Sequence, residues 1–400
     1  MSYGIVIVMK KRILIFSLAY FPSYVSGAES AVREITDRID PEDIEFELVT
    51  LWFDKTQPKE EKIGNVLVHR VGVSSAYLSK ILFVPLAALT VRRLHKENPY
   101  TGLWALMTYM LFPLALTRLM GVKVPYVVTL QDGDPYEKVF ERWYIKPFAP
   151  LLDYGFKHAT VVQAISKYLA EWPKKRGSDA PVEMIHNGGN PRDFIRDLFS
   201  KEEIAEAREA VGVQTDEVLI GNTARLVYQK GWEDTIQALA LLPENYKMLI
   251  VGGGPDEKKY KGLVKELALT ERVIFIGQVD RSEVTKYRRM LDIFVMPSRS
   301  EGLGNAGLSS MASRIPFVGT QEGGLAEYAF DEKRNPGVPA TAWVVDKDSP
   351  EQIAKVVQDI VEHPDKTQKV VTTAYDMVSR KFRWESIAKD MQDRVFSRII

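Results

Sequence analysis

The sequence has no cysteine, few histidines and no excess of either charge, and each shortage excludes a kind of chemistry. Without cysteine, its 400 residues can form no disulfide, no thiolate nucleophile and no thiolate metal site. The five histidines are scattered without helical pairing, so a zinc site is not expected. Lysine and arginine total 53 and aspartate and glutamate also total 53, so no basic field points to nucleic acid as a partner. The absence of cysteine fits a reducing, cytoplasmic compartment.

The sequence also lacks an apolar run long enough to span a bilayer. The segment 102–121 holds an apolar stretch of about fifteen residues, short of the ~20 that a membrane span needs, and Pro113 interrupts it. The N-terminus begins like a short signal peptide, with basic residues before an apolar run. That run ends at Pro22 without a convincing cleavage site, so we interpret 13–20 as a buried first strand. Met9 is a second candidate for the natural start.

From residue 200 onward, short apolar runs alternate with amphipathic segments. Ser200 followed by Glu203 forms a capping box that predicts a helix start, and Gly212 predicts its end. Continuous apolar strands between helices of 3.6-residue period indicate a parallel sheet covered on both faces. We predict strands at 218–224, 247–253, 273–277, 292–298, 316–320 and 341–345, with helices from Trp232 and across 256–269, 281–290 and 304–313.

The first half repeats this alternation less regularly. Its predicted strands are 12–20, 46–52, 65–72, 101–107, 124–131, 160–166 and 181–186, and its longest predicted helices are 77–97 and 136–158. The turn-rich segment 186–194 is interpreted as a linker. We therefore predict an α/β protein with two doubly wound, Rossmann-like parallel-sheet domains facing across a cleft, where ligands bind beyond the carboxyl ends of strands. The predicted domains are 1–192, joined by a C-terminal helix at 383–400, and 193–382.

Basic and glycine residues follow the predicted strands of the second domain. Arg225 and Lys230 precede a helix, where two cations would suit a diphosphate, although two surface charges are the alternative. Gly253 lies in the run 252–254, which lets a backbone approach a ligand or simply turns the chain. Val279 follows the next strand, where backbone groups could contact a nucleobase.

A lone acidic residue, Glu301, occupies the bend after the strand at 292–298. A carboxylate only accepts hydrogen bonds, so it suits a ligand with hydroxyl donors; a simple partner for the helix dipole is the alternative. Asn305, Ala306 and Gly307 follow at a helix start, whose free N–H groups can hold a diphosphate or a sugar hydroxyl.

Together these motifs resemble the donor domain of glycosyltransferase family 4, which has the GT-B architecture. The matching segments, in order, are "ARLVYQKG", "LIVGGGP", "VIFIGQVD", "DIFVMPSRSEGLGNAGLSSMASRIPFVGT" and "GGLAE". In addition, "FPSYVSGAESAVREI" resembles the family's first loop and helix, "IHNGG" its interdomain turn, and "FRWESIA" its terminal crossing helix. The resemblance covers nearly the whole chain and is more specific in the second half.

The resemblance implies a role for each matching residue. Arg225 and Lys230 would bind the nucleotide diphosphate. Glu301 matches the first glutamate of a motif with two glutamates separated by seven residues, and would hold the hydroxyls of the donor sugar. Gly27 would let the first loop close on the phosphates. The backbone under the sugar and diphosphate would be that of Asn305, Ala306, Gly307 and Leu308.

Two positions depart from the family pattern. The motif's second glutamate, which holds the ribose hydroxyls, is Ser309 here. Losing one charge-assisted hydrogen bond costs roughly 1.5–3 kcal/mol, on the order of tenfold to a hundredfold in donor affinity. A histidine near the donor sugar is replaced by Gln131, which can bond a hydroxyl but cannot titrate. Neighbouring Asp132 and Asp134 mimic a metal-binding motif of another glycosyltransferase fold. That fold has one sheet, whereas this sequence predicts two, so we expect no metal site here. We regard Asp132 as a candidate sugar or acceptor contact.

The resemblance implies a retaining glycosyltransferase that needs no cofactor. Its donor would be a UDP- or GDP-linked sugar, and its acceptor a saccharide or lipid-linked saccharide in surface polysaccharide, glycolipid or other glycan assembly. Apolar helices and basic clusters at 91–93 and 174–176 favour association with the inner face of the cytoplasmic membrane, unless those helices only cover their own sheet. Two alternatives remain open: a nucleotide-sugar-binding protein with weak or no turnover, and a nucleotide-sugar epimerase. An epimerase would need acid and base groups at the sugar, where only Glu301 stands.

Overall fold

The chain folds into two compact units. The structure, a computed structural model, describes residues 10–22, 25–72, 77–195 and 197–400, so the candidate start Met9 lies outside the described residues. The first unit runs to Asn187 and also includes Trp384–Ile400, whereas the second unit is Gly188–Arg383. None of the helices in the described ranges combines the length and the apolar character that crossing a membrane requires.

The first unit is built on an eight-stranded sheet. Its strands are β1 (Arg12–Phe16), β2 (Glu45–Leu51), β3 (Glu60–Ile63), β4 (Val66–Val71), β5 (Gly102–Leu106), β6 (Tyr126–Leu130), β7 (Val161–Ala164) and β8 (Val182–Met184). The helices are α1 (Gly27–Thr36), α2 (Tyr77–Glu97), α3 (Leu111–Leu119), α4 (Tyr136–Phe140), α5 (Ala149–Lys157), α6 (Lys167–Ala170) and α7 (Trp172–Lys175). The strand order is β3-β4-β2-β1-β5-β6-β7-β8. All neighbouring pairs are parallel except β3 with β4, and the central β1 is buried along its whole length, as a doubly covered parallel sheet requires.

The predicted helix across 136–158 is wrong as a continuous helix. Helix α4 ends at Phe140, and α5 begins only at Ala149. Pro147 lies in the break, where it has no N–H to donate to the preceding turn, and Pro150 occupies the first turn of α5, where it is tolerated. The first strand is also shorter than predicted, because the chain leaves the sheet after Phe16.

The sequence pattern did not predict β3. Its residues are "EEKI", and none of its side chains is fully buried. The strand pairs only with β4, so it forms the edge of the sheet. Charged side chains are common on edge strands because they discourage pairing with another chain. Such a strand lacks the apolar pattern from which a strand could be predicted.

The second unit is built on a six-stranded parallel sheet. Its strands are β9 (Val218–Thr223), β10 (Tyr246–Val251), β11 (Val273–Gly277), β12 (Ile293–Met296), β13 (Phe317–Gly319) and β14 (Trp343–Val344). The helices are α8 (Lys201–Ala210), α9 (Trp232–Ala240), α10 (Glu257–Glu266), α11 (Arg281–Arg289), α12 (Asn305–Ala312), α13 (Pro350–Glu362) and α14 (Pro364–Lys381). The strand order is β11-β10-β9-β12-β13-β14. The predicted capping box is confirmed, since the Glu203 N–H donates to Ser200 Oγ over 3.0 Å and the Ser200 N–H to Glu203 Oε2 over 2.7 Å.

The last helix, α15 (Trp384–Asp390), packs on the first unit although it follows the second along the chain. Beyond it, the Phe396 ring lies 5.0 Å from the ring of Trp104 and 5.7 Å from that of Phe46, measured between centroids. All three aromatic side chains are buried. Burying one large apolar side chain contributes about 1.5–3 kcal/mol, so the C-terminal segment is part of the core of the first unit.

Candidate functional site

The bend between β12 and α12 places Glu301 in a buried position with a cation beside it. The residue is only 5% exposed. The Lys230 ammonium donates to Glu301 Oε1 over 2.5 Å, and Ser298 Oγ donates to the same oxygen over 2.8 Å. Within the described residues, no donor reaches Glu301 Oε2. The carboxylate therefore has one oxygen engaged by the protein and one that can accept from a ligand hydroxyl.

Lys230 reaches Glu301 because the ends of two neighbouring strands approach each other closely. Strand β9 ends at Thr223, and its loop closes in a short 3₁₀ turn at Tyr228–Lys230. The next residue, Gly231, has a φ of +67°, and a Cβ there would lie 2.1 Å from the Pro297 carbonyl oxygen just after β12. Only glycine fits this position, so the two loops are held together and residues 71 positions apart become ion-paired.

Arg299 fixes the same two loops, and the sequence interpretation missed it. Its N–H donates to the Gln229 carbonyl over 2.8 Å, and its guanidinium donates to the Tyr228 carbonyl over 3.0 Å. The guanidinium also bonds Asp234 over 2.8 Å and Asp348 over 2.7 Å. These contacts hold the backbone before Lys230 against the bend that carries Glu301. The signal was a second charge in the segment "SRSEG", which the pattern could not distinguish from a surface arginine.

The start of α12 is open for a ligand on its first turn only. Gly304 precedes the helix with a φ of +85°, and no side chain in the described part of the chain caps the helix start. Asn305 and Ala306 are partly exposed, and their N–H groups lie at the positive end of the helix dipole. Gly307 packs under the Tyr328 hydroxyl, where a Cβ would come within 2.4 Å, and Leu308 is fully buried. Gly307 and Leu308 were also predicted to contact the ligand through their backbone. The structure places both of them in the buried part of the helix, behind its open first turn.

Ser309 faces the turn that opens the second unit. Its side chain is buried, and its Oγ accepts a hydrogen bond from the Asn190 N–H over 2.9 Å. The Asn190 side chain in turn donates to Thr285 Oγ1 over 3.1 Å. Where the family pattern has a carboxylate for the ribose, this chain has a hydroxyl that bonds the protein's own backbone.

Arg225 lies in the same loop as Lys230, but it makes no contact with the Lys230–Glu301 pair in the described residues. The residue is exposed, and within the described ranges its guanidinium makes no ion pair. Its carbonyl accepts a hydrogen bond from Trp232 Nε1 over 3.0 Å, which fixes the backbone of the loop. Of the three predicted catalytic residues, the structure thus joins two directly and leaves the third as an exposed cation nearby in sequence.

The glycine run after β10 allows two loops to touch. A Cβ on Gly252 would lie 2.2 Å from the Ala224 carbonyl oxygen, and one on Gly254 would lie 2.3 Å from the Leu226 carbonyl oxygen. Gly253 differs, because a Cβ there would meet nothing closer than 3.6 Å. Packing therefore explains the outer two glycines and leaves Gly253 available to a ligand. Val279, two residues beyond β11, is partly buried.

The predicted residues of the first unit lie at its own strand and helix ends. Gly27 is exposed at the first position of α1, after the capping residue Ser26. Gln131 follows β6, and its Oε1 accepts from Asn187 Nδ2 over 2.7 Å. Among the described residues, its buried Nε2 finds no hydrogen-bond acceptor.

Asp132 is buried beside Thr108, at the ends of β6 and β5. The Thr108 hydroxyl donates to Asp132 Oδ2 over 2.9 Å, and the Thr108 N–H donates over 3.3 Å. Burial raises the pKa of Asp132 to about 6, although these hydrogen bonds lower it. Asp134 instead pairs with Lys138 over 2.9 Å and Arg142 over 3.3 Å. In the part of the chain that the structure describes, no group of three acidic or histidine side chains could hold a metal ion.

Two family models match the chain, one on each unit. Residues 26–188 match the glycosyl transferase 4-like domain, and residues 203–377 match glycosyl transferases group 1. An uncharacterized glycosyltransferase of Methanocaldococcus jannaschii is 34% identical over 211 residues, which are 52% of this chain and 52% of the relative. A GDP-mannose-dependent alpha-(1-6)-phosphatidylinositol monomannoside mannosyltransferase of Mycobacterium tuberculosis is 25% identical over 58% of this chain and 60% of the relative. The chain thus spans little more than half the length of these curated relatives.

A solved structure shows the same fold over the whole chain. HepE of Anabaena, crystallised in complex with UDP-glucose, superposes with a TM-score of 0.78 over 96% of this chain and 99% of that protein, at 19% identity. The fold is therefore GT-B, as the sequence predicted. The two family matches together cover most of the chain and agree with its fold, and the chain belongs to the group 1 glycosyltransferases.

Proposed function

We propose that the protein transfers a sugar from a nucleotide-diphosphate sugar to a saccharide hydroxyl, with retention of the anomeric configuration. The observation that carries this proposal is the ion pair of Lys230 with the buried Glu301, over 2.5 Å, beside the open first turn of α12. A cation, an acceptor-only carboxylate and free N–H groups together match the two chemical parts of such a donor. Those parts are an anionic diphosphate and a sugar with several hydroxyls.

The two members of the pair take different parts of the donor. Lys230 is 20% exposed at its side chain, so a diphosphate can approach the ammonium, whereas the Glu301 side chain is deeper at 6%. Glu301 Oε2 accepts from a hydroxyl of the sugar. The pair also keeps the carboxylate oriented before the donor arrives, because Lys230 and Ser298 hold its other oxygen.

Stabilisation of the leaving group drives the reaction. The bond from the anomeric carbon to the diphosphate oxygen breaks, and a bond from that carbon to the acceptor oxygen forms on the same face. The acceptor proton passes to the departing diphosphate oxygen. Negative charge grows on that diphosphate, where Lys230 and the N–H groups of Asn305 and Ala306 stabilise it, and the exposed Arg225 adds a further positive charge. These groups supply the positive charge, so we propose that the reaction needs no metal ion.

Named relatives support the choice of donor. The HepE structure contains UDP-glucose, and the mycobacterial relative is GDP-mannose-dependent, so we propose a UDP- or GDP-linked hexose. The name of that same relative places its acceptor on a phosphatidylinositol lipid. For this chain we propose a saccharide acceptor, free or lipid-linked, used on the cytoplasmic side of a membrane in glycan assembly.

A panel of UDP- and GDP-linked sugars tests the proposal in two stages. A ligand at a hundred times its dissociation constant stabilises a protein by about 2.7 kcal/mol, so the correct donor raises the melting temperature clearly above the others. Incubation of that donor with saccharide acceptors is then expected to release free UDP or GDP and a glycoside of retained configuration, with or without chelator. A protein that binds the donor and releases only an epimerised nucleotide sugar would contradict the proposal.

A further inference from the structure

Helix α2 presents an exposed apolar face that the described residues of its unit leave uncovered. On its inner side, Phe83, Ala87 and Val91 are fully buried against the sheet. On its outer side, four large apolar side chains face solvent: Leu78 at 69% exposed, Ile81 at 56%, Leu82 at 48% and Leu89 at 53%. An ordinary surface helix carries polar residues on that side. A continuous exposed patch of this kind marks an interaction surface.

The outer face continues into a basic segment towards the end of the helix. Leu78, Leu82, Leu89, Arg92 and Lys96 succeed one another at intervals of three, four or seven residues, so they share one line along α2. Arg92, Lys96 and the adjacent Arg93 are all exposed. The one acidic residue of this helix, Glu97, lies 3.9 Å from Arg93 at the far end. The face is therefore apolar over its first half and cationic over its last turns.

An anionic lipid bilayer matches both halves of this face. Leucine and isoleucine side chains can enter the boundary between headgroups and acyl chains, while arginine and lysine bind lipid phosphates at the surface. A second copy of the chain matches poorly. Antiparallel α2 helices would place Arg92 and Lys96 over a partner's leucines and remove them from water unpaired, and parallel helices would oppose like charges.

We propose that this outer face of α2 docks the protein on an anionic membrane surface. The docking surface comprises Leu78, Ile81, Leu82, Leu89, Arg92, Arg93 and Lys96. Helix α2 lies between β4 and β5 along the chain. Because its apolar N-terminal part follows β4, this part starts at the carboxyl edge of the parallel sheet. Ligands of such sheets bind at that edge. The inference rests on the proposed function in one respect only, namely that a docked enzyme would meet a lipid-linked acceptor. Docking itself does not depend on catalysis.

Vesicle co-sedimentation tests the docking surface directly. The full chain is mixed with vesicles of phosphatidylcholine alone, or of phosphatidylcholine with about one third phosphatidylglycerol. Each mixture is prepared at low salt and at about 0.5 M NaCl, a concentration that screens surface charge. The apolar test variant combines Leu78→Ser, Leu82→Ser and Leu89→Ser, and the basic test variant combines Arg92→Ser, Arg93→Ser and Lys96→Ser. The matched controls are Leu119→Ser with Leu241→Ser, two exposed leucines elsewhere, and Lys258→Ser with Lys261→Ser and Lys265→Ser on α10.

The expected result is binding to anionic vesicles that salt weakens and that each test variant lowers at least tenfold, while both controls bind like the unaltered chain. Circular dichroism and donor-induced thermal stabilisation are expected to be unchanged in every variant, so lost docking is distinguished from lost folding or a wrong donor site. No binding by the unaltered chain, or equal binding by test and control variants, would overturn the proposal. A dimer in solution that the apolar variant converts to monomer, without vesicle binding, would also overturn it.

Discussion

The strand ends of the two units are stabilised in different ways. In the second unit, charged side chains hold the loops together: Lys230 pairs with Glu301, and Arg299 pairs with Asp234 and Asp348. In the first unit, uncharged hydrogen-bond partners surround Gln131 and Asp132. The second unit is therefore prepared for a charged ligand, whereas the first offers an amide and a buried carboxyl group, which suit hydroxyls.

The largest effect is expected from Arg299→Ala. The guanidinium is 10% exposed and Asp234 is 5% exposed at its side chain, and burial already raises the pKa of Asp234. Removing one partner of a buried pair leaves an uncompensated carboxylate, which costs about 3–5 kcal/mol. Urea denaturation measures the loss in the free energy of unfolding. The control is Arg334→Ala, whose pair with the exposed Asp346 is expected to contribute below about 1 kcal/mol. Equal losses in both variants would show that charge does not hold the second unit's loops.

Asp132 is expected to make the first unit less stable as the pH rises. Its pKa of about 6 lies above the ordinary value of 3.8, so the folded protein binds this proton more tightly than the unfolded chain. The stabilisation is complete below about pH 4 and is lost as the pH rises through 6, by about 3 kcal/mol in total. Asp132→Asn is expected to remove that pH dependence, and Asp134→Asn is the control. Denaturation curves at about pH 4.5 and about pH 7 measure the free energy of unfolding of the unaltered protein and both variants. An equal change between the two pH values in all three proteins would show that Asp132 does not cause the pH dependence.

Lys230→Ala and Glu301→Ala are each expected to lower the rate of sugar transfer tenfold to a hundredfold. Each removes a charge-assisted bond of about 1.5–3 kcal/mol that the donor would make. Steady-state assays at saturating acceptor measure the change. The control pair is Lys261→Ala and Glu257→Ala, an exposed ion pair in the same unit, 2.7 Å apart. Near-normal turnover in either test variant would remove that residue from the site.

The smallest effect is expected from Ser309→Ala. The variant loses the hydrogen bond of 2.9 Å from the Asn190 N–H, which costs about 1 kcal/mol of unfolding free energy. Donor affinity is expected to change less than about threefold, because the hydroxyl already serves the backbone turn. The opposite outcome, unchanged stability with weaker donor binding measured by calorimetry, would place Ser309 in contact with the donor.

The sequence allowed the second sheet and its strand-end residues to be predicted because both leave local signals. Buried parallel strands read as apolar runs, and the residues after them are fixed by short loops. Edge strand β3 had no such signal, since three of its four side chains are charged and none is fully buried. The bond of Arg299 with Asp234 joins residues that are far apart along the chain, and so does the bond between Ser309 and Asn190. Such contacts depend on tertiary packing, which periodicity and spacing do not encode.

Calorimetric titration of Lys230→Ala and Glu301→Ala with UDP, GDP and the matching nucleotide sugars shows whether the Lys230–Glu301 pair binds the donor. Lys230→Ala is expected to weaken binding of the nucleotide diphosphate and of the nucleotide sugar alike, because the ammonium binds phosphate. Glu301→Ala is predicted to weaken only the nucleotide sugar, because the carboxylate binds sugar hydroxyls. If both variants bound both ligands as the unaltered chain does, the Lys230–Glu301 pair would be a structural ion pair and the donor site would lie elsewhere.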